Sequence, residues 1–151
     1  MNTYTQRGLS FIELVIIAAV IGVLSALIYP TYKDSVRRAD RLEAQAYLME
    51  LSHKLASYRL VNQNFKNLTM NDIGEAVFPD AARQTYQISI TDADGKSLTD
   101  ASANIATYLL TATPRGAQEG NGLITLNQAN NECWYKDDDE GKGECLAWSA
   151  K

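Results

Sequence analysis

The sequence predicts an α+β fold: a long N-terminal α-helix, its first half able to span a membrane, packed on an antiparallel β-sheet of three to four strands, with a C-terminal disulfide loop. Three patterns lead there. Residues 9 to 29 are nearly all apolar. Apolar and small residues then recur at spacings of three or four up to residue 60, the period of a helix. Beyond residue 85, short segments rich in β-branched and aromatic residues lie between turn residues, the mark of strands. A helix followed by strands in series folds as two layers, helix on sheet.

The 151 residues carry a net charge of -4 and are 46% hydrophobic, which fits one domain and excludes a largely disordered chain. A mean hydropathy of -0.24 averages a membrane-grade segment with a distinctly polar remainder. Charge is uneven too: residues 31 to 60 hold six basic and four acidic side chains, residues 61 to 151 seven and thirteen. Sequence-independent affinity for nucleic acid comes from Lys and Arg displacing counterions, so the acidic C-terminal part is expected not to bind nucleic acid directly.

The run LSFIELVIIAAVIGVLSALIY occupies residues 9 to 29. At about 1.5 Å per residue it reaches roughly 30 Å, the thickness of a hydrocarbon core. The chain after Ile28 reads YPTYKDSVRRADR, with no small-residue cleavage site, so the helix is expected to be retained. Before it stands only MNTYTQRG, with one positive charge. Gly8-Leu9-Ser10-Phe11-Ile12-Glu13 resembles the processing motif of type IV prepilins, in which a dedicated peptidase cuts after the glycine on the cytoplasmic side and methylates the new amino terminus. The resemblance implies a leader of residues 1–8, cleavage between Gly8 and Leu9, and N-methylation of Leu9. It departs from the family at Leu9, where Phe is more usual.

A carboxylate in a lipid-spanning helix costs about 2.5–3.5 kcal/mol at the bilayer centre and less near the interface, so Glu13 calls for a partner. Cleavage after Gly8 would create one, the ammonium of Leu9 one helical turn away. The family resemblance implies that Glu13 pairs with that amine on a neighbouring subunit and so sets the axial register of assembly. The orientation signals conflict. Arg7 alone precedes the apolar run while Lys33, Arg37, Arg38 and Arg41 follow it, which by the positive-inside rule puts the C-terminal side in the cytoplasm. Cys133 and Cys145 are an even pair without a CxxC or a second His or Cys cluster, which reads as a disulfide and an oxidising compartment such as the periplasm. With the resemblance, the cysteines decide for the periplasm, the basic cluster being masked by Asp34, Asp40 and Glu43 or used in packing.

From 30 to 60 the helix is expected to continue as an amphipathic half. One stripe runs through Tyr32, Val36, Ala39, Leu42, Ala46, Met49, His53, Ala56 and Leu60, and a second through Tyr47, Leu51, Leu55 and Tyr58. Pro30 predicts a kink or local break, and Gly22 weakens the helix earlier. The family resemblance adds that the stretch between them loosens when subunits pack into a filament. Residues 61–151 form the globular part: an irregular connection to residue 85 with a short helical turn, strands at Tyr86–Thr91, Ile105–Thr113 and Leu123–Asn127, and a turn at Asp94-Gly95. This order matches the type IV pilin roll. The segment bounded by Cys133 and Cys145 resembles the exposed C-terminal region of type IV pilins. The stretches Thr111 to Gln118, Gly122 to Leu126 and Cys133-Trp134 look most like minor pilins of the PilE type.

No metal, cofactor or catalytic group is expected. The acidic runs Asp137 to Glu140 and Asp92 to Gly95 fail the register of a calcium loop, and read as a solvated acidic loop and a hairpin turn. His53 reads as a helix–sheet packing residue, and no nucleophile elbow or phosphate-binding glycine motif occurs. The resemblance therefore implies a non-enzymatic, minor pilus subunit, with other major and minor pilins, the prepilin peptidase and the inner-membrane assembly platform as partners. It would be a single-pass inner-membrane protein with a periplasmic C-terminal domain before assembly, and lie on the pilus at the cell surface after it. Twitching motility, adhesion and DNA uptake are the family's downstream roles. The alternatives are a type II secretion pseudopilin and a DNA-receptor or adhesin pilin.

Overall fold

The computed structural model describes residues 10–150. The chain divides after Val36 into two units, and α1 (Phe11–Asn62) contributes to both. In the first unit Phe11, Leu14, Ile16, Val23 and Ile28 are all more than half exposed. A helix with apolar side chains on every side has no core of its own and is built for lipid or for other helices. The Ser25 hydroxyl donates to the Ile21 carbonyl and the Ser35 hydroxyl to that of Thr31, so the small polar groups are satisfied within the helix. The helix runs unbroken through Gly22 and Pro30, and the local break expected at Pro30 does not occur. The helix thus accommodates a proline that donates no backbone hydrogen bond.

In the second unit α1 leads to α2 (Met70–Ile73) and five strands, β1 (Val77–Phe78), β2 (Tyr86–Thr91), β3 (Leu109–Pro114), β4 (Gly122–Asn127) and β5 (Glu132–Lys136). They form one antiparallel meander in chain order. The sheet has five strands rather than three or four. β1 is too short to show a period, and β5 has charged ends with only Trp134 fully buried. β2 lies where its alternation places it, with Tyr86, Ile88 and Ile90 turned inward. β3 begins at Leu109 rather than Ile105, because the chain before it turns at Asn104 to Thr107.

Asp94-Gly95 makes a turn, with Gly95 at φ 82, but it does not close a hairpin. It belongs to the long β2–β3 connection, which is organised by the buried carboxylate of Asp92. Its Oδ1 accepts the amides of Asp94 and Lys96 and its Oδ2 that of Asn104. These donors hold Asp92 below the usual carboxylate range.

The helix face that meets the sheet differs from the expected one. Asp40, Arg41, Ala44, Gln45, Leu48, Leu51 and Leu55 are buried. Leu42 is 53% exposed, Met49 47% and Leu60 86%, and His53 is exposed as well. The second stripe thus faces the core and the first faces outward, so His53 is not a packing residue. Both stripes have helical period, and periodicity alone cannot say which of two apolar faces a sheet will cover. Leu48, Leu51 and Leu55 enter one core with Ile88, Ala112, Ile124 and Trp134, which stand side by side across β2 to β5.

Candidate functional site: the assembly helix and its seam with the head

Gly8 and Leu9 lie outside the described residues. Glu13 stands in the first turn of α1, exposed, with no ion pair to another described residue. A carboxylate in the first turn of an apolar helix is well placed for the positive end of the helix dipole and for a cation supplied from outside the described residues. A side chain at Gly22 would meet open space.

From Arg37 onward the basic cluster is used in packing. Arg37 Nε donates to the Ala117 carbonyl at 2.9 Å, and Arg41 Nη1 to Asn121 Oδ1 at 3.0 Å. The Arg41 guanidinium lies 3.8 Å from the ring centre of Trp134, a cation–π contact inside the fold. Trp134 Nε1 in turn donates to the Asn121 carbonyl. Asp40 Oδ2 accepts from Gln118 Nε2, and Gln118 Oε1 accepts from Asn121 Nδ2. Burial lowers the Arg41 pKa, yet an arginine stays charged at any physiological pH. The same polar seam buries the Tyr86 hydroxyl, pushing it up to about 12. The four residues Asp40, Arg41, Gln118 and Asn121 thus fasten the start of the head's helix to the β3–β4 connection.

Sequence reasoning singled out the chain around Pro114 to Gln118 only for its likeness to minor pilins. The chemistry it carries, amides facing a buried ion on α1, had one faint signal, an Arg and an Asp inside an otherwise amphipathic helix.

Cys133 and Cys145 form a disulfide with Cα atoms 5.0 Å apart, as expected. It ties the segment after β5 back to that strand, next to a single β-bridge between Trp134 and Leu146. The acidic loop within is more than solvated. Asp138 accepts the amides of Glu140, Gly141, Lys142 and Gly143. These four donors hold its pKa below the usual range. Asp139 accepts from Gly120 and Gly122, tying this loop to the β3–β4 connection.

The chain is similar to several known proteins. The family described as "Type IV minor pilin ComP, DNA uptake sequence receptor" matches residues 30–133. A fimbrial protein of Pseudomonas aeruginosa is 27% identical over 136 residues, 85% of this chain and 83% of its own. A type II secretion system core protein G of Pectobacterium carotovorum is 31% identical over 62 residues, 41% of this chain and 40% of its own. The chain thus spans about two fifths of the length of the first curated relatives it matches. Among solved structures, the non-core minor pilin PilV of Neisseria meningitidis superposes with a TM-score of 0.51 at 13% identity, covering 74% of this chain and 94% of that one. That likeness is one of fold: a helix on an antiparallel sheet. With a family match across more than half its length, and with the apolar helix, the sheet and the C-terminal disulfide in place, the chain belongs to the type IV minor pilins of the ComP family.

Proposed function

We propose that the chain is a non-enzymatic minor subunit of a type IV pilus, stored in the inner membrane with its head in the periplasm and then packed into the filament through α1. The observation that carries this reading is an unbroken helix whose first half leaves its apolar side chains uncovered while its second half is closed into a core. In this reading the prepilin peptidase cuts between Gly8 and Leu9 and methylates Leu9. Glu13 pairs with the new amine of a neighbouring major or minor pilin to set register, and the assembly platform draws the subunit in. The stretch from Gly22 to Pro30 loosens as helices pack. The disulfide between Cys133 and Cys145 supports a periplasmic head despite the basic cluster, because a disulfide persists in an oxidising compartment.

The role within the pilus that the family description favours is DNA uptake, and it brings forward the DNA-receptor reading that the acidic composition argues against. A pseudopilin role is less favoured, because the family match extends through the sheet to residue 133.

Mass spectrometry of the protein from membranes and from sheared filaments tests the subunit reading. The expected result is a chain starting at methylated Leu9, with the disulfide closed, in both fractions; a chain that keeps its first eight residues in filaments overturns it. Titrating the purified protein with duplex DNA at several salt concentrations tests reception. Micromolar, salt-sensitive binding supports a receptor, and no binding leaves a structural subunit.

A further inference from the structure

We propose that Tyr29, Tyr32 and Lys33 form an interfacial anchor that grips the phosphate and ester layer of a phospholipid leaflet and so fixes how deep α1 sits in the membrane before assembly. The proposal rests on the membrane-anchored reading given above, and all of it lies within the first unit. The three residues stand at i, i+3 and i+4, which is one face of a helix. Tyr29 and Tyr32 are 62% and 65% exposed, and they stand where the apolar run ends. A tyrosine has an apolar body and a polar tip, the chemistry of the boundary between acyl chains and headgroups.

Lys33 completes the anchor. Helical side chains lean toward the N-terminal end, so its ammonium is carried back toward the apolar run. There Nζ lies 5.0 Å from the centre of the Tyr29 ring, whose face holds the charge at the edge of the run. Lys33 has no ion pair with another described residue, which leaves the ammonium to a lipid phosphate. Asp34 lies about 100° round the helix and opposes a net negative surface. The anchor therefore calls for the phosphate that every phospholipid carries rather than for an anionic lipid.

Spacing sets the depth. Phe11, 84% exposed, is the one other aromatic residue described in the first unit. It stands 18 residues before Tyr29 and 21 before Tyr32. At 1.5 Å per residue these are about 27 and 32 Å of helix, which bracket the roughly 30 Å of a hydrocarbon core. Aromatic residues thus meet both interfaces at once. Between Phe11 and Tyr29 the only charged residue is Glu13, two positions from Phe11 and so close to the opposite interface. Packing against neighbouring helices requires no such spacing, and it gives an ammonium beside a tyrosine nothing to bind, so the pattern favours lipid.

The test places a spin label at Ser35→Cys in the full chain, whose two native cysteines are paired and leave the label one thiol. The protein is reconstituted into phosphatidylcholine nanodiscs of increasing acyl-chain length, and depth is read from the label's accessibility to oxygen against a nickel chelate. In the parent the label should stay in the headgroup layer in every disc, the mismatch being taken up at the other end or by tilt. In Tyr29→Ala/Tyr32→Ala/Lys33→Gln it should sink as the discs thicken, by at least about 3 Å, two residues of helix. Lys33→Gln alone should show part of that shift. The melting temperature of the head should be unchanged in both variants, since the three side chains are exposed in the other unit. Equal depth of parent and triple variant in every disc overturns the proposal. Weaker incorporation of the variant into filaments at unchanged depth does so too, and assigns the three residues to helix packing. A chain that does not elute with the discs defeats the membrane reading and the anchor with it, and is seen before any depth is measured.

Discussion

The two units of this chain solve opposite problems with the same helix. Up to Val36, α1 exposes apolar side chains all round, so its stability has to come from lipid or from neighbouring helices. From Arg37 the helix carries one buried face, closed by a five-stranded sheet, a polar seam and a disulfide. The contrast teaches that the head has a core of its own while the apolar half has none. Substitutions in the two should fail in different ways.

The largest effect is expected at Glu13. Glu13→Gln should lower the amount of subunit in sheared filaments at least about tenfold while leaving the membrane-bound amount unchanged, since a neutral amide is cheaper in lipid but cannot pair with an amine. Immunoblots of the two fractions decide it. Equal incorporation would erase the distinction between the units, because the apolar half would then need no specific partner.

In the head the cost should appear as folding stability. Leu51→Ala removes a fully buried side chain and should destabilise by about 2–5 kcal/mol, seen in thermal or denaturant melts of the detergent-solubilised protein. Leu42→Ala, one face away and 53% exposed, should stay within about 0.5 kcal/mol in the same melts yet reduce incorporation into filaments. A large loss of stability at Leu42 would show that the outward stripe is part of the head's own core.

Cys133→Ser paired with Cys145→Ser should cost roughly 3 kcal/mol by the chain-entropy account, leaving the apolar half untouched. The smallest effect is the pH dependence of the loops. Asp92 and Asp138 are held below their unfolded values by backbone donors. Their contribution is present above the ordinary carboxylate pKa and is lost as pH falls through the depressed one. Melts in acid should therefore show Asp138→Asn losing less stability between neutral and low pH than the parent. Tyr86 acts at the other end. It is held neutral up to about 12 in the fold, so its contribution fades as pH rises beyond the unfolded value of 10.0.

Much of this was legible in the residues. The apolar run marked the first unit, and the prepilin motif around Gly8 and Glu13 pointed to the family. Period-two alternation located β2 to the residue, and an even cysteine pair located the disulfide. What was not legible depended on contacts between distant segments. The choice between two apolar stripes on α1 is made by the sheet that arrives later, so His53 and Met49 could not be told from Leu48 and Leu51 by spacing. β1 is only two residues long and β5 is charged at both ends, so each is recognised by the neighbour that pairs with it rather than by a pattern of its own. The seam needs Arg41, Asn121 and Trp134 at once, three residues that no local window contains.

Trp134, in β5, covers Arg41, a residue made 93 positions earlier. A nascent polypeptide therefore holds an uncovered guanidinium on its helix until β5 has been synthesised. Under the periplasmic reading, translocation has to have carried β5 across before that strand can close over the charge. Chains truncated before β5 would be left with an open helix face, a state that resident proteases can recognise and clear before it competes for a place in the fibre.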